Sequence, residues 1–506
     1  MQLLTSSALE ELVKKLLIIR DAILEGEKTY EKYALRVHPN YKYNALNFLR
    51  YLRFRTFDLR EIQGSLTALG MSSLSHAERH VLANIENILY LLNAHLGHDF
   101  NGTYKFGKHP VSFIESDKKL RKNTQRLFGK HVKKMGVMVT LPSEAVSPDY
   151  LKMLLQAGMD IARINCSHDN TQVWKKMVAN LKCVSEELNL PCSVYVDLAG
   201  PKIRTHKIWA PINRLHKGKN ALLLEGDSMY LLKSLDSETA NGLKERKKVI
   251  FTCQLPTIID DVQQGHRILF DDGNIGGEIA EKLSDGVKIR VTRTDPGGSK
   301  LRPEKGINLP DTHLNLPPLT EEDIHNLDFV SEYADMVGFS FVREAKDVAV
   351  LQEELRKRNA SHIGMVLKIE NREAFENLPE LILQAMESPT IGIMTARGDL
   401  AVELGAERLS EVQEEIMWLC EAALIPNIWA TQVLETLAKK GIPSRAEITD
   451  AAMSVRAECV MLNKGPFIDK ALHTLDDILA RMEKHFYKKQ GTLRNLKVAE
   501  TFWGDN

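Results

Sequence analysis

Lys368 and Glu370 stand two residues apart in LKIEN, and the segment IMTARGDLAVE carries Arg397, Gly398 and Asp399. Side chains two apart on a strand share a face, so the ammonium and the carboxylate would project together. Glu370 and Asp399 suit a hard divalent cation, Mg²⁺ or Mn²⁺, which takes oxygen ligands and keeps positions for water or substrate. Similar short apolar runs carry or end in other polar residues: Arg163, Asn165 and Ser167 in DIARINCS, Asp197 and Arg204 in VDLAGPKIRT, Ser340, Phe341 and Arg343 in GFSFVR, and Thr431 after PNIWA. Arg163, Arg204, Lys368 and Lys305 together fit an anionic, phosphorylated substrate whose charge must be neutralised during transfer. Taken singly, each reads as a surface ion pair or a helix cap. Their recurrence at the ends of successive apolar runs is what points to one site. His168 reads as a loop hydrogen-bonder rather than a general base.

The elements that would position these residues begin near residue 135. Short β-branched or apolar runs there alternate with helix-period segments, the pattern of βα units and a parallel sheet. The candidate strands are GVMVTL, DIARIN, CSVYVDL, DMVGFSF, IGMVLKI, TIGIMTA, PNIWAT and ECVMLN. Eight such strands predict an α/β chain whose main unit is a (β/α)8 TIM barrel, with the site at the C-terminal ends of its strands. The alternation breaks once, and residues 206–303 read as an inserted small β-barrel domain that projects from the catalytic face. Residues 1–130 alternate helix-period stretches with polar breaks and form an α-helical N-terminal region. The expected division is therefore 1–130 helical, 131–205 with 304–490 catalytic barrel, 206–303 all-β lid, and 491–506 tail. Lys118, Lys119, Arg121, Lys122, Arg126, Lys130, Lys133 and Lys134 crowd the end of the helical region; such a run reads as a solvated helix face or linker.

The chain has 506 residues, enough for about three domains. Its 67 Lys and Arg balance 67 Asp and Glu, so no global field draws it to nucleic acid or to an anionic membrane, and any anion site must be local. Six cysteines without a CxxC pair indicate neither a disulfide scaffold nor a zinc site and read as reduced thiols. No apolar run has the length of about 20 residues a membrane span needs, and the amphipathic N-terminus is unlike a targeting peptide, so a cytoplasmic protein is expected. The sequence holds no P-loop, Rossmann fingerprint, HExxH or GxSxG.

The segments GMDIARINCSHDN, VDLAGPKIRT, ILFDDG, EKGINLP, LPPLTEEDIHNLDF, DMVGFSFVREAKDV, LKIEN, IMTARGDLAVE, WATQVLET and SRAEITDAA resemble, in order, those of the pyruvate kinase family, over roughly residues 135–485. The resemblance implies the conversion of phosphoenolpyruvate and ADP to pyruvate and ATP, with those two small molecules as partners. By the same resemblance Glu370 and Asp399 would bind the divalent metal, Lys368 would stabilise the phosphoryl group and the enolate, and Arg163 would contact the transferring phosphate. Gly398 and Thr431 would hold the substrate carboxylate, with Asp399 and Ser340 lining the same substrate site and Thr431 near the proton path. Asn165, His168, Arg204 and Lys305 would lie on the nucleotide side.

Four departures from the family pattern shape the expectations. Asn165, Ser167 and Asp197 match its monovalent-cation positions, yet Leu198 and Lys202 stand where potassium-dependent members carry Thr and Glu. An ammonium can replace the K⁺ charge, so potassium independence is expected. TLPSEAVS at 140–147 lacks the Gly-Pro-Ala-Ser-Arg loop and its arginine. NKGPF at 463–467 replaces a Ser-Gly-Glu-Thr-Ala run, with Lys464 as a partial substitute. Only about twenty residues follow the last barrel helix, so the family's C-terminal regulatory domain is expected to be absent, its tetramer interface incomplete, and the homo-oligomeric state left open. The helical N-terminal region is expected to replace that domain in assembly or regulation. Two other readings compete with the kinase: a non-catalytic sensor of phosphoenolpyruvate or nucleotide, and another metal-dependent enzyme acting on enolpyruvate or a 2-oxo acid.

Overall fold

A computed structural model describes residues 5–109, 111–132, 135–216, 220–488 and 490–491. Lys133 and Lys134 of the basic run, and almost all of the 491–506 tail, lie outside the described residues. No helix among the described residues is long and apolar enough to cross a membrane.

Eight parallel strands close into a barrel: β1 (Gly136–Thr140), β2 (Ile161–Asn165), β3 (Ser193–Asp197), β4 (Met336–Phe339), β5 (Gly364–Ile369), β6 (Ile391–Ala396), β7 (Asn427–Ala430) and β8 (Cys459–Leu462). These are the eight runs predicted from the sequence. They are buried on both faces, which is why they read as near-continuous apolar stretches. The helices between them start on strong local signals. Thr320 and Ser444 each close a capping box with Asp323 and Glu447, and Asn170 caps the helix Thr171–Leu188.

Between β3 and β4 the chain leaves the barrel and builds a seven-stranded and a three-stranded sheet from Thr205 to Asn308. Its own apolar core includes Leu231, Phe251, Phe270 and Ile289. The insertion also carries two short helices, Glu238–Glu245 and Ile258–Asp261. Ile307 and Asn308, expected with the barrel, pair instead with Phe270 and Leu269 of the inserted sheet, because the returning chain completes that sheet before it re-enters the barrel.

The N-terminal helices α1 (Ser6–Gly26), α2 (Lys42–Phe54), α3 (Arg60–Ala68) and α4 (Val81–Leu96) share an apolar core that includes Leu16, Ile23, Phe48, Leu66, Ile85 and Leu89. Polar side chains key them to the barrel. Asn44 and Asn47 donate to the carbonyls of Ala423 and Ala422 at 2.9 and 2.8 Å, and Tyr41 Oη accepts from the Ile391 amide at 3.1 Å.

Helix α5 (Phe113–Phe128) contains most of the basic run. Lys118, Arg121 and Lys122 face solvent, as expected for a charged face, but Leu120, Thr124, Leu127 and Phe128 are buried. Leu127 and Phe128 pack with Met138, Tyr195, Val366 and Met394 of the barrel interior. The fit depends on two glycines: a Cβ added at Gly364 or Gly392 would lie 2.6 or 2.5 Å from the Leu127 methyls. The basic segment is therefore the plug of the barrel floor as well as a solvated face.

Candidate active site

The C-terminal ends of β2 to β5 bring four charged side chains into one buried cluster. Arg163 on β2 donates through Nε to Asp197 Oδ2 at 3.0 Å, and its Nη2 makes a second, shorter bond to the same oxygen. Its Nη1 reaches Thr140 Oγ1 at 2.7 Å. In-register pairing of Thr140 with Arg163 across β1 and β2 makes that contact possible. Lys368 Nζ lies 3.2 Å from Asp197, 3.0 Å from Glu370 Oε1 and 2.8 Å from Ser340 Oγ. Ser340 in turn donates to the Leu198 carbonyl at 2.6 Å.

Close packing enforces the arrangement. A Cβ on Gly338 would sit 2.0 Å from Tyr195 Oη and 2.5 Å from Asp197 Oδ1, so the strand beside Asp197 admits only glycine there. Gly200 has φ +67°, and a Cβ on it would come within 2.9 Å of the Ser340 carbonyl. The buried Asp323 accepts from the Gly200 amide at 3.2 Å and fixes the turn that carries Lys202.

Every charge in the cluster has an opposite partner, which is how such groups stay ionised out of water. Burial disfavours the Lys368 ammonium, but Asp197 and Glu370 outweigh it and raise its pKa. Burial also pushes Asp197 up, and there Lys368 and Arg163 win and hold the carboxyl below its ordinary range. For Glu370 burial prevails over the pull of Lys368, and the charges of Asp399 and Asp197 raise it further. Glu370 Oε2 also accepts from the Phe341 amide at 2.8 Å, and Phe341 has φ +55° at that tight turn.

At the neighbouring strand end, Lys202 Nζ lies 2.8 Å from Asp399 Oδ1 and 5.5 Å from the centre of the Phe341 ring. Asp399 belongs to the helix Arg397–Leu404 that follows β6 directly. The amide of Gly398, in the same first turn, donates to Thr431 Oγ1 at 2.7 Å. Thr431 has φ +65° and is held from below by Arg397, which donates to the Ala430 and Thr431 carbonyls at 3.0 and 2.7 Å, pairs with Asp450 and stacks 4.5 Å from the Trp429 ring.

The tertiary structure thus unites Arg163, Asp197, Ser340, Lys368, Glu370, Lys202, Asp399, Gly398 and Thr431. Arg204 donates to the Glu304 carbonyl at 3.2 Å, and Lys305 is paired with Asp271 of the inserted sheet at 2.8 Å. Partial desolvation and then Lys464 lower the pKa of the exposed His168, with Arg204 and Arg163 adding to the effect, so Lys464 lies on the same side of the mouth as His168. Asn165 Oδ1 accepts from the Ser167 amide at 3.0 Å. Sequence reasoning did not single out Thr140, Tyr195, Asp323 or Asp450. Thr140 could have been found from strand register, whereas Asp450 is 53 residues from Arg397 with no local signal.

The sequence matches the family model "Pyruvate kinase, barrel domain" over residues 132–466. The chain belongs to the pyruvate kinase family. Similar proteins include the pyruvate kinases of Geobacillus stearothermophilus and Bacillus licheniformis, each 31% identical over 376 residues, and that of Staphylococcus saprophyticus, 30% identical over 378 residues. In each case the alignment covers 73% of this chain and 60% of the relative, so the chain spans about three fifths of the length of the pyruvate kinases it matches. Residues 1–131, with α1 to α5, lie outside the family match.

Proposed function

We propose that the protein is a pyruvate kinase-type phosphotransferase that converts phosphoenolpyruvate and ADP to pyruvate and ATP, depends on Mg²⁺ or Mn²⁺ and does not require K⁺. The observation that carries this reading is the buried Lys368, held by Asp197, Glu370 and Ser340 beside Arg163.

Glu370 and Asp399 feel each other's charge across the mouth, and a pair of hard carboxylate donors fits a divalent cation. When bound, that metal would neutralise phosphoryl and enolate oxygens as a Lewis acid. The protein's own groups do the rest by position and charge. The bond between phosphorus and the enol oxygen breaks as a β-phosphate oxygen of ADP takes the phosphoryl group, and the enolate left behind takes a proton on its methylene carbon. Lys368 keeps its proton and meets the charge on the moving phosphoryl group and on the enolate. Arg163, locked by Thr140 and Asp197, contacts the same phosphate without reorganising. The Gly398 amide at a helix start and the Thr431 hydroxyl meet the substrate carboxylate, with Thr431 near the proton path. His168, Arg204, Lys305 and Lys464 offer charge and hydrogen bonds to the nucleotide.

Lys202 supports potassium independence, because its ammonium already stands at the mouth against Asp399. The inserted sheets would close over the bound substrates as a lid, the N-terminal helices would take part in assembly or regulation, and a cytoplasmic location suits both substrates. The deciding experiment measures pyruvate and ATP formed from phosphoenolpyruvate, ADP and Mg²⁺, with and without K⁺, beside Lys368→Met and an EDTA control. Turnover in both salts that vanishes in the variant and with chelator supports the proposal. Phosphoenolpyruvate binding without turnover would favour a sensor, and pyruvate without ATP would favour a different enolpyruvate reaction.

A further inference from the structure

Tyr195 lies on β3 two residues before Asp197, and side chains two apart on a strand share a face. In register across the barrel, Tyr195 stands beside Arg163 of β2 and Met336 of β4, and Asp197 stands beside Gly338. The tyrosine is fully buried and belongs to the apolar cluster of the barrel interior that includes Leu127, Phe128, Val366 and Met394. A phenylalanine would fill that space as well. The tyrosine hydroxyl is the one side-chain oxygen in the cluster, and a buried hydroxyl costs free energy unless it is bonded.

Its partner is Asp197: Oη donates to Oδ1 at 3.5 Å. The bond is longer than the usual ~2.5–3.0 Å between two oxygens, as contacts in substrate-free active sites often are before they tighten on binding. Burial, and next the charge of Asp197, raise the phenol pKa well above its ordinary value, so the group keeps its proton and serves Asp197 as a donor.

The two oxygens of Asp197 divide the work. Oδ2 accepts from Arg163 Nε at 3.0 Å, from Arg163 Nη2 and from Lys368 Nζ at 3.2 Å, while Oδ1 faces Tyr195 and lies 3.2 Å from Lys368 Nζ. The cations therefore hold the carboxylate at the mouth, and the phenol holds it from the side of the barrel floor. Gly338 makes the space for this. A Cβ there would lie 2.0 Å from Tyr195 Oη and 2.5 Å from Asp197 Oδ1, so both oxygens converge over the residue of β4 that has no side chain.

We propose that Tyr195 is a positioning residue: its hydroxyl, seated over Gly338, holds Asp197, and through Asp197 it holds the Arg163 guanidinium and the Lys368 ammonium in the arrangement that meets the transferring phosphate. The inference rests on the proposed phosphotransferase activity.

Tyr195→Phe keeps the ring and removes only the hydroxyl, so the fold is expected to stand. Steady-state kinetics of the full chain with phosphoenolpyruvate, ADP and Mg²⁺ should show kcat lowered about tenfold or more, the scale of one hydrogen bond to a charged group. The KM for phosphoenolpyruvate should rise. The KM for ADP should not change, since His168, Arg204 and Lys305 lie outside the Asp197 cluster. A merely structural loss lowers the fraction of active enzyme, and with it kcat, but leaves both KM values alone. Crystal structures of the parent and of Tyr195→Phe give a readout that needs no turnover, in which the Asp197 carboxylate is expected to rotate out of its place in the parent. Unchanged kinetics against an active parent, a fall in kcat with both KM values unchanged, or an Asp197 carboxylate that keeps its place would each overturn the proposal. A parent without turnover would instead overturn the phosphotransferase reading, and the pair of crystal structures would still decide whether Tyr195 holds Asp197.

Discussion

Lys202 and Asp399 form an ion pair, 2.8 Å from Nζ to Oδ1, although they are 197 residues apart and lie before and after the inserted sheets in the sequence. The pair sets a fixed positive charge against one of the two candidate metal-binding carboxylates. Replacing it by the residue type of potassium-dependent relatives should transfer that task to a solvent cation. Lys202→Glu is expected to lower turnover in K⁺-free buffer by about 10²-fold or more, the scale of losing one charge-stabilising group, and to make activity rise with added K⁺. Initial rates across a K⁺ series check this; a variant as active as the parent without K⁺ would show that the ammonium has no such part.

Lys368 is expected to contribute to stability as well as to the proposed chemistry, because it pairs with two buried carboxylates. Lys368→Met leaves Asp197 and Glu370 buried with one cation fewer, which for a broken buried pair costs about 3–5 kcal/mol. The midpoint of urea unfolding, measured beside the rates, should fall accordingly. The loss should be smaller at acid pH, where Glu370, already pushed up by burial, takes a proton first.

Glu403 gives a pH signature. It follows Asp399 by one helical turn, is buried, and accepts from Asn308 Nδ2 at 2.8 Å where the inserted sheet rejoins the barrel. Burial raises its pKa from 4.5 to about 7; Asn308 opposes the rise, Asp399 adds to it, and Arg372 and Arg267 pull it down. The folded state thus binds this proton more tightly than the unfolded state. The stabilisation is complete below pH 4.5 and is lost as pH rises through about 7. Glu403→Gln should flatten that slope and leave the metal-free protein more stable than the parent above pH 7, by up to about 3 kcal/mol. Urea unfolding at pH 5 and pH 8 tests it, and an unchanged pH slope would count against it.

The barrel floor depends on α5. Leu127→Ala empties the space against Gly364 and Gly392 and should cost about 2–5 kcal/mol, the range for a buried leucine. A chain beginning at residue 130 loses the whole plug and should unfold at a lower temperature, which thermal denaturation followed by circular dichroism would record. Unchanged melting, assembly and kinetics in that truncation would remove any structural or regulatory part for residues 1–130.

Much of the barrel was legible because parallel strands buried on both faces leave a strong local imprint, and all eight runs were predicted. The inserted sheets were legible as turn-rich strand pieces, but their hinge was not: Ile307 and Asn308 look like any short run, and only pairing with Leu269 and Phe270 assigns them to the insertion. The basic segment was legible as a solvated helix face, but its docking side was not. Its charges dominate the composition, while Leu120, Thr124 and Leu127, spaced along one face of α5, decide where it docks.

By itself the sequence determined the fold class, the family resemblance and the chemical character of the strand ends, because residue type, spacing and periodicity are local properties. Only the tertiary structure decided which charges meet. Asp197 holding Arg163 and Lys368, Lys202 against Asp399, and Arg397 anchoring the Thr431 turn through Asp450 all join residues from separate elements. Coulomb energy, desolvation and hydrogen-bond satisfaction depend on distances through space, which linear spacing does not encode.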